Sequence, residues 1–195
     1  MESIFIGSRR IKTREKLLEA ICENNLLKVI QGSKKRSSKD NSGFYGNVID
    51  FYFAPSSGTK QGGDFQFVFG GHDLKSSYLD SMSVVDICSC TKKKSMEEAL
   101  KEAIDKVRDG LTLTIYDVET KEENRFVKHS GKSIIENREY VKIYEVRQYI
   151  KIIEDEFKRY ARVKSKDKNN WKVEILKSKL PLVYEKEIVK VLDND

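Results

Sequence analysis

Asn47-Val-Ile-Asp-Phe-Tyr-Phe-Ala54 and Asp64-Phe-Gln-Phe-Val-Phe-Gly70 are two aromatic-rich stretches joined by a linker rich in Ser, Gly and Lys. Each alternates at period two, the spacing of a β-strand. That sets Ile49, Phe51 and Phe53 on one face of the first, and Phe65, Phe67 and Phe69 on one face of the second. The pattern predicts an aromatic hairpin whose apolar face needs a cover. The connection from Pro55 to Gly63 is longer than the ~2–5 residues usual for a hairpin. Pro55, Gly58 and Gly62-Gly63 suit its turns.

Working outward, Met82 to Thr91 reads as a third strand, and Met96 to Asp109 as the clearest helix. Ser95 with Glu98 three residues on forms a capping box, and Gly110 stands at the C-terminal end. Met96, Leu100, Ala103, Ile104 and Val107 make the apolar stripe that would cover the hairpin. A helix capped by Thr13 is expected to Asn24, and a second turn or short strand at Leu26 to Ile30. Leu111 to Val118 reads as a strand with Asn124 to His129 as its hairpin partner. Ile143, Val146, Ile150, Ile153, Phe157 and Ala161 fit helical spacing, so a helix is expected from Tyr144 to Arg162. Trp171 to Leu176 reads as a strand, and Pro181 suits the first turn of a last helix reaching Leu192. The expected class is α+β: an antiparallel sheet built on the aromatic hairpin, covered on one face by two or more helices. One domain over residues 1–195 is expected, with a basic helical segment 1–43, a central sheet and helix 44–130, and C-terminal helices with a short strand 131–195.

The totals exclude several classes. A chain of 195 residues buries ~70% of its unfolded surface and needs no covalent staples. Three cysteines, Cys22, Cys88 and Cys90, are too few and odd in number for a disulfide scaffold. The apolar start Ile4-Phe5-Ile6 is too short for a signal peptide, and no window is long and apolar enough for a membrane span. A reducing, cytoplasmic setting is expected, with no membrane partner. The net charge of +6 is uneven: residues 8–40 carry ten Lys/Arg against four Asp/Glu, and residues 141–195 fourteen against ten.

The basic stretches are the strongest functional signal. Lys158, Arg159, Arg162, Lys164, Lys166, Lys168 and Lys172 face only Asp167 between residues 157 and 172, a local charge of +6. Tyr160 and Trp171 are interleaved, and rings stack on bases while cations pair with phosphates. Lys34, Lys35, Arg36 and Lys39 form a second patch. The plainer alternative is a solvated or protein-binding face, with the cations also favoured by a helix C-terminus.

Acidic residues offer a second chemistry. Asp50, Asp64 and Asp86, with Gln66, would lie on the polar side of the expected strands, where carboxylates can hold Mg²⁺. A nuclease core of the restriction-enzyme kind wants a lysine two residues after the acidic or Gln position. Val68 stands there after Gln66, and Glu174 and Lys177 are one residue too far apart. A solvated sheet face is the plainer reading. Cys88-x-Cys90 lacks the second ligand pair of a zinc site, and the glycine pairs match no phosphate-binding loop. His72 beside Asp73 is a weak acid–base candidate only.

The expected function is therefore non-catalytic contact with nucleic acid through both basic ends, with no metal or cofactor. One alternative is an inhibitor or adaptor bound to a larger protein; another is a metal-dependent nuclease using the hairpin acids.

Overall fold

The computed structural model describes residues 13–29, 44–53, 65–67, 70–79, 84–90, 95–120, 125–129, 132–136, 139–167 and 170–192. Its helices are α1 (Arg14–Glu23), α2 (Phe44–Phe53), α3 (Met96–Val107), α4 (Glu154–Tyr160) and α5 (Leu180–Val183). Its strands are β1 (Leu26–Lys28), β2 (Phe65–Phe67), β3 (Gly70–Tyr78), β4 (Val84–Cys90), β5 (Leu111–Thr120) and β6 (Arg125–His129). They continue with β7 (Lys132–Glu136), β8 (Glu139–Tyr149), β9 (Arg162–Asp167), β10 (Asn170–Leu176) and β11 (Glu187–Val191). The fold is α+β, and among the described residues every strand pair is antiparallel except β3 with β5.

The main sheet runs β1-β8-β5-β3-β2, with β11 on the same side of β8 as β1. β4, β10 and β9 form a second sheet, and β6 and β7 a two-stranded one, among the described residues. Two apolar clusters flank the main sheet. On one face α1 and α2 bring Leu17, Ile21, Val48, Ile49 and Phe53 against Leu74, Tyr116, Ile143 and Val146. On the other, α3 brings Ala103, Ile104 and Val107 against Leu111, Leu113 and Tyr149, with Ile87 and Ile175 of the second sheet. Each fully buried Ile, Leu or Phe contributes ~1.5–3 kcal/mol, so these clusters outweigh any single cap. The sheet is thus covered on both faces.

Two predicted elements are drawn accurately by their caps. Thr13 accepts from the Lys16 amide at the start of α1. Ser95 and Glu98 close the capping box of α3, each side chain accepting from the other's amide. Gly110 follows α3 with φ +136, the left-handed side of conformational space.

Three predicted elements change. Residues 44–53 form a helix rather than the first strand of an aromatic hairpin. Val48, Ile49, Tyr52 and Phe53 recur at helical as well as at strand spacing, and their burial under α1 and the sheet selects the helix. Residues 65–67 do lie in a hairpin, but their partner is β3; Phe69 lies outside the described residues. The expected helix from Tyr144 to Arg162 is the long strand β8 followed by the short α4. The expected last helix is confined to Leu180–Val183, with Pro181 in its first turn, and residues 187–191 form β11. Two pairings change as well: β6 pairs with β7 instead of β5, and β4 leaves the main sheet to pair with β10.

Candidate nucleic-acid interface and acidic-lysine site

β3 is an inner strand, with β2 on one side and β5 on the other. Its alternation sends His72, Leu74 and Ser76 toward α1 and α2, and Asp73 and Lys75 toward α3. The Asp73 side chain is 0% exposed, with Lys75 Nζ at 2.9 Å from one oxygen and Lys106 Nζ of α3 at 3.5 Å from the other. Neither oxygen has a hydrogen-bond partner among the described residues. A buried carboxylate without partners is costly, and the two ammonium groups supply the compensating charge. Lys75 and Lys106 are 20% and 34% exposed, and so connect the buried acid with solvent.

The strand that carries this pair is fixed from its other face. The Thr112 hydroxyl lies 2.9 Å from His72 Nδ1, and His72 Nε2 lies 3.2 Å from the Tyr149 carbonyl. A carbonyl only accepts, so Nε2 carries the proton and Nδ1 accepts from Thr112. Gln148 Nε2 donates to the Arg14 carbonyl at 2.8 Å and lies 3.4 Å from the Thr112 hydroxyl. Burial, and next the nearby Arg14 cation, pull the His72 pKa down to about 3 against a weaker opposing effect of the Tyr149 hydrogen bond. His72 is a neutral structural imidazole, and the acid–base role considered for it does not suit a ring so enclosed.

The sequence-predicted basic residues spread over three elements. Lys158, Arg159 and Tyr160 lie on α4, Arg162, Lys164 and Lys166 on β9, and Trp171 and Lys172 on β10. Lys34, Lys35, Arg36, Lys39 and Lys168 lie outside the described residues. Many of the placed cations have acidic partners. Lys158 pairs with Glu154 at 2.7 Å, and Arg159 lies 3.9 Å from Glu156. Lys164 and Lys172 converge on Glu174, itself 3% exposed, and Lys172 also reaches Asp86 at 2.7 Å. Tyr160 lies under two cations, Arg159 and Lys179, at 5.4 and 5.0 Å from the ring centre. Trp171 packs half-buried on the α3-side core, and its indole nitrogen has no hydrogen-bond partner among the described residues. The local excess of positive charge in the sequence is thus offset in space by Glu154, Glu156, Glu174 and Asp86.

The acidic candidates separate. Asp50 lies on α2, Asp86 on β4, and Asp64 lies outside the described residues. Cys88 and Cys90 place their sulfurs 2.9 Å apart, while Cys22 belongs to α1 across the main sheet. Burial, ahead of the Cys90 contact, pushes the Cys88 thiol far above its ordinary range, the opposite of an activated nucleophile. Among the described residues no group of three His, Cys, Asp or Glu gathers for a metal. The feature that Gln66 and Glu174 lack is present at Asp73-Leu74-Lys75, an acidic residue with lysine two positions on.

No family model matches the sequence, and no curated protein matches it. Among solved structures, the chain is similar to the restriction endonuclease MvaI bound to its cognate DNA substrate, with a TM-score of 0.56 over 91% of this chain and 96% of that one. Sequence identity across the match is 9%, so the likeness is one of fold.

Proposed function

We propose that this chain handles nucleic acid, and that Asp73 and Lys75 are the centre of a site for phosphodiester cleavage. The observation that carries the proposal is the acidic-x-lysine pair on an inner strand of a chain similar in fold to an endonuclease. Asp73 offers two carboxylate oxygens to a hard divalent cation, which would replace the lysine ammonium groups now facing them. Such a cation would polarise the phosphate and acidify an attacking water. One carboxylate does not complete a coordination shell. Lys75 holds an ammonium beside the same carboxylate, where it can pair with a phosphate oxygen and stabilise its developing charge. The basic residues of α4, β9 and β10, with Lys34, Lys35, Arg36 and Lys39, supply further contacts to the nucleic-acid backbone in this reading.

A second reading is binding without cleavage. It is favoured by Asp73 being fully buried and already paired with two lysines. A plasmid-nicking assay with Mg²⁺ or Mn²⁺ separates the two, run beside DNA binding in EDTA. Cleavage by the natural protein that is lost in Asp73→Asn and Lys75→Ala, with binding retained, supports the nuclease. Binding without cleavage under every metal tried leaves the second reading, and absence of both removes the pair.

A further inference from the structure

We propose that Lys177 binds a backbone phosphate flanking the one at Asp73 and Lys75. The inference rests on the nucleic-acid reading above and extends it to a residue outside both predicted basic patches.

Lys177 opens the 3-10 turn that follows β10, and it donates to the carbonyl of Tyr78, the last residue of β3, at 3.4 Å. Tyr78 lies three residues beyond Lys75. At ~3.3 Å per residue, that is ~10 Å along the strand, close to three base-pair rises of ~3.4 Å. Lys106 and Lys75 thus stand at Asp73, and Lys177 reaches the end of the same strand.

The charge environment distinguishes Lys177 from the cations on α4, β9 and β10. Lys158, Lys164 and Lys172 each meet a carboxylate. Among the described residues, no carboxylate lies within ion-pair distance of Lys177. Its charged neighbours are Arg147 and, more weakly, Glu145, which the Arg147 guanidinium already grips through two nitrogens at 2.5 and 3.2 Å. Burial lowers the Lys177 pKa first and Arg147 lowers it further, with Glu145 opposing. Partial desolvation beside a like charge is unfavourable for an ammonium group, and an arriving anion relieves both effects. A phosphate oxygen is such an anion, and Lys receives it as a point charge.

The test is duplex-DNA binding by the full chain in EDTA, followed by fluorescence anisotropy across a salt series. Lys177→Ala is expected to bind several-fold more weakly at low salt, with the slope of log K against log salt shallower by about 0.9, one phosphate contact. Lys177→Arg should restore both. Lys151→Ala removes the same charge from a surface pair with Glu185 and should alter neither. If Lys177→Ala keeps the natural affinity and slope, or Lys151→Ala matches its loss, Lys177 is not a phosphate contact, while the nucleic-acid reading survives. If the natural protein shows no salt-dependent binding, that reading falls and takes the Lys177 contact with it.

Discussion

Acid should weaken this fold through one ring. His72 is neutral in the native state because burial and Arg14 draw its pKa down to about 3, whereas the unfolded chain has the ordinary 6.5. Below pH 6.5 the unfolded state therefore binds a proton that the native state refuses. Stability is present in full above that value and falls by ~1.4 kcal/mol per pH unit until the native pKa is approached. Between pH 7 and pH 5 the single-site relation gives a loss of about 2 kcal/mol, a large share of a typical ~5–15 kcal/mol. Urea unfolding at the two pH values measures it, and His72→Gln supplies the reference in which carboxylate titrations remain. The natural protein should lose about 2 kcal/mol more than the variant over this interval. Should the variant not fold, the ring proton of His72 followed by NMR in the natural protein answers the same question. A titration near pH 6.5 in the native state, or equal losses in both proteins, refutes the enclosed neutral imidazole.

Two further substitutions test the surroundings of the site. A Cβ at Gly110 would lie 2.3 Å from His72 Cδ2 and 2.7 Å from the Tyr149 carbonyl, at φ +136. Gly110→Ala should cost roughly 2–5 kcal/mol, from backbone strain plus the displaced His72 hydrogen bond, read as a lower urea midpoint. Ser95→Ala opens the capping box of α3 and should cost ~1 kcal/mol in the same assay, with Ser95→Asp recovering most of it.

How far the fold could be read depended on whether a segment carried a local stop or start. α1 and α3 have capping side chains, and their predicted and observed limits agree within a few residues. The 44–53 segment has none described, and its aromatic residues satisfy strand and helix spacing at once; packing under α1 decided it. β8 misled for a more specific reason. Its pairing with β5 slips between Ile115 and Tyr116, so that Ile115 faces Glu145 and Tyr116 faces Ile143. Tyr144 is the extra residue of a bulge, and beyond it the faces of the strand exchange parity. Ile143 and Val146 therefore share one core despite being three apart, which imitates a helix. No single-sequence pattern separates a bulged strand from one turn of an amphipathic helix.

The proposed site was legible in its spacing but not in its context. Asp73-Leu74-Lys75 satisfies the acidic-x-lysine rule on sight, yet the Gly-Gly-His before it reads as a turn. Only the pairing of Gly70–Tyr78 with β2 and β5 turns that segment into an inner strand and gives the spacing meaning, since residues two apart then share a face. The basic stretch shows the converse limit of reading along the chain. A count along the chain registers Lys158, Lys164 and Lys172 and misses Glu154, Glu174 and Asp86, which meet them through a helix turn and two strand pairings. Charge summed along a sequence measures the neighbours a cation has in the chain; a phosphate responds to those it has in space. On that measure Lys177, outside the dense basic run and without a carboxylate partner among the described residues, is the stronger candidate for contact in the proposed reading than the lysines that outnumber it.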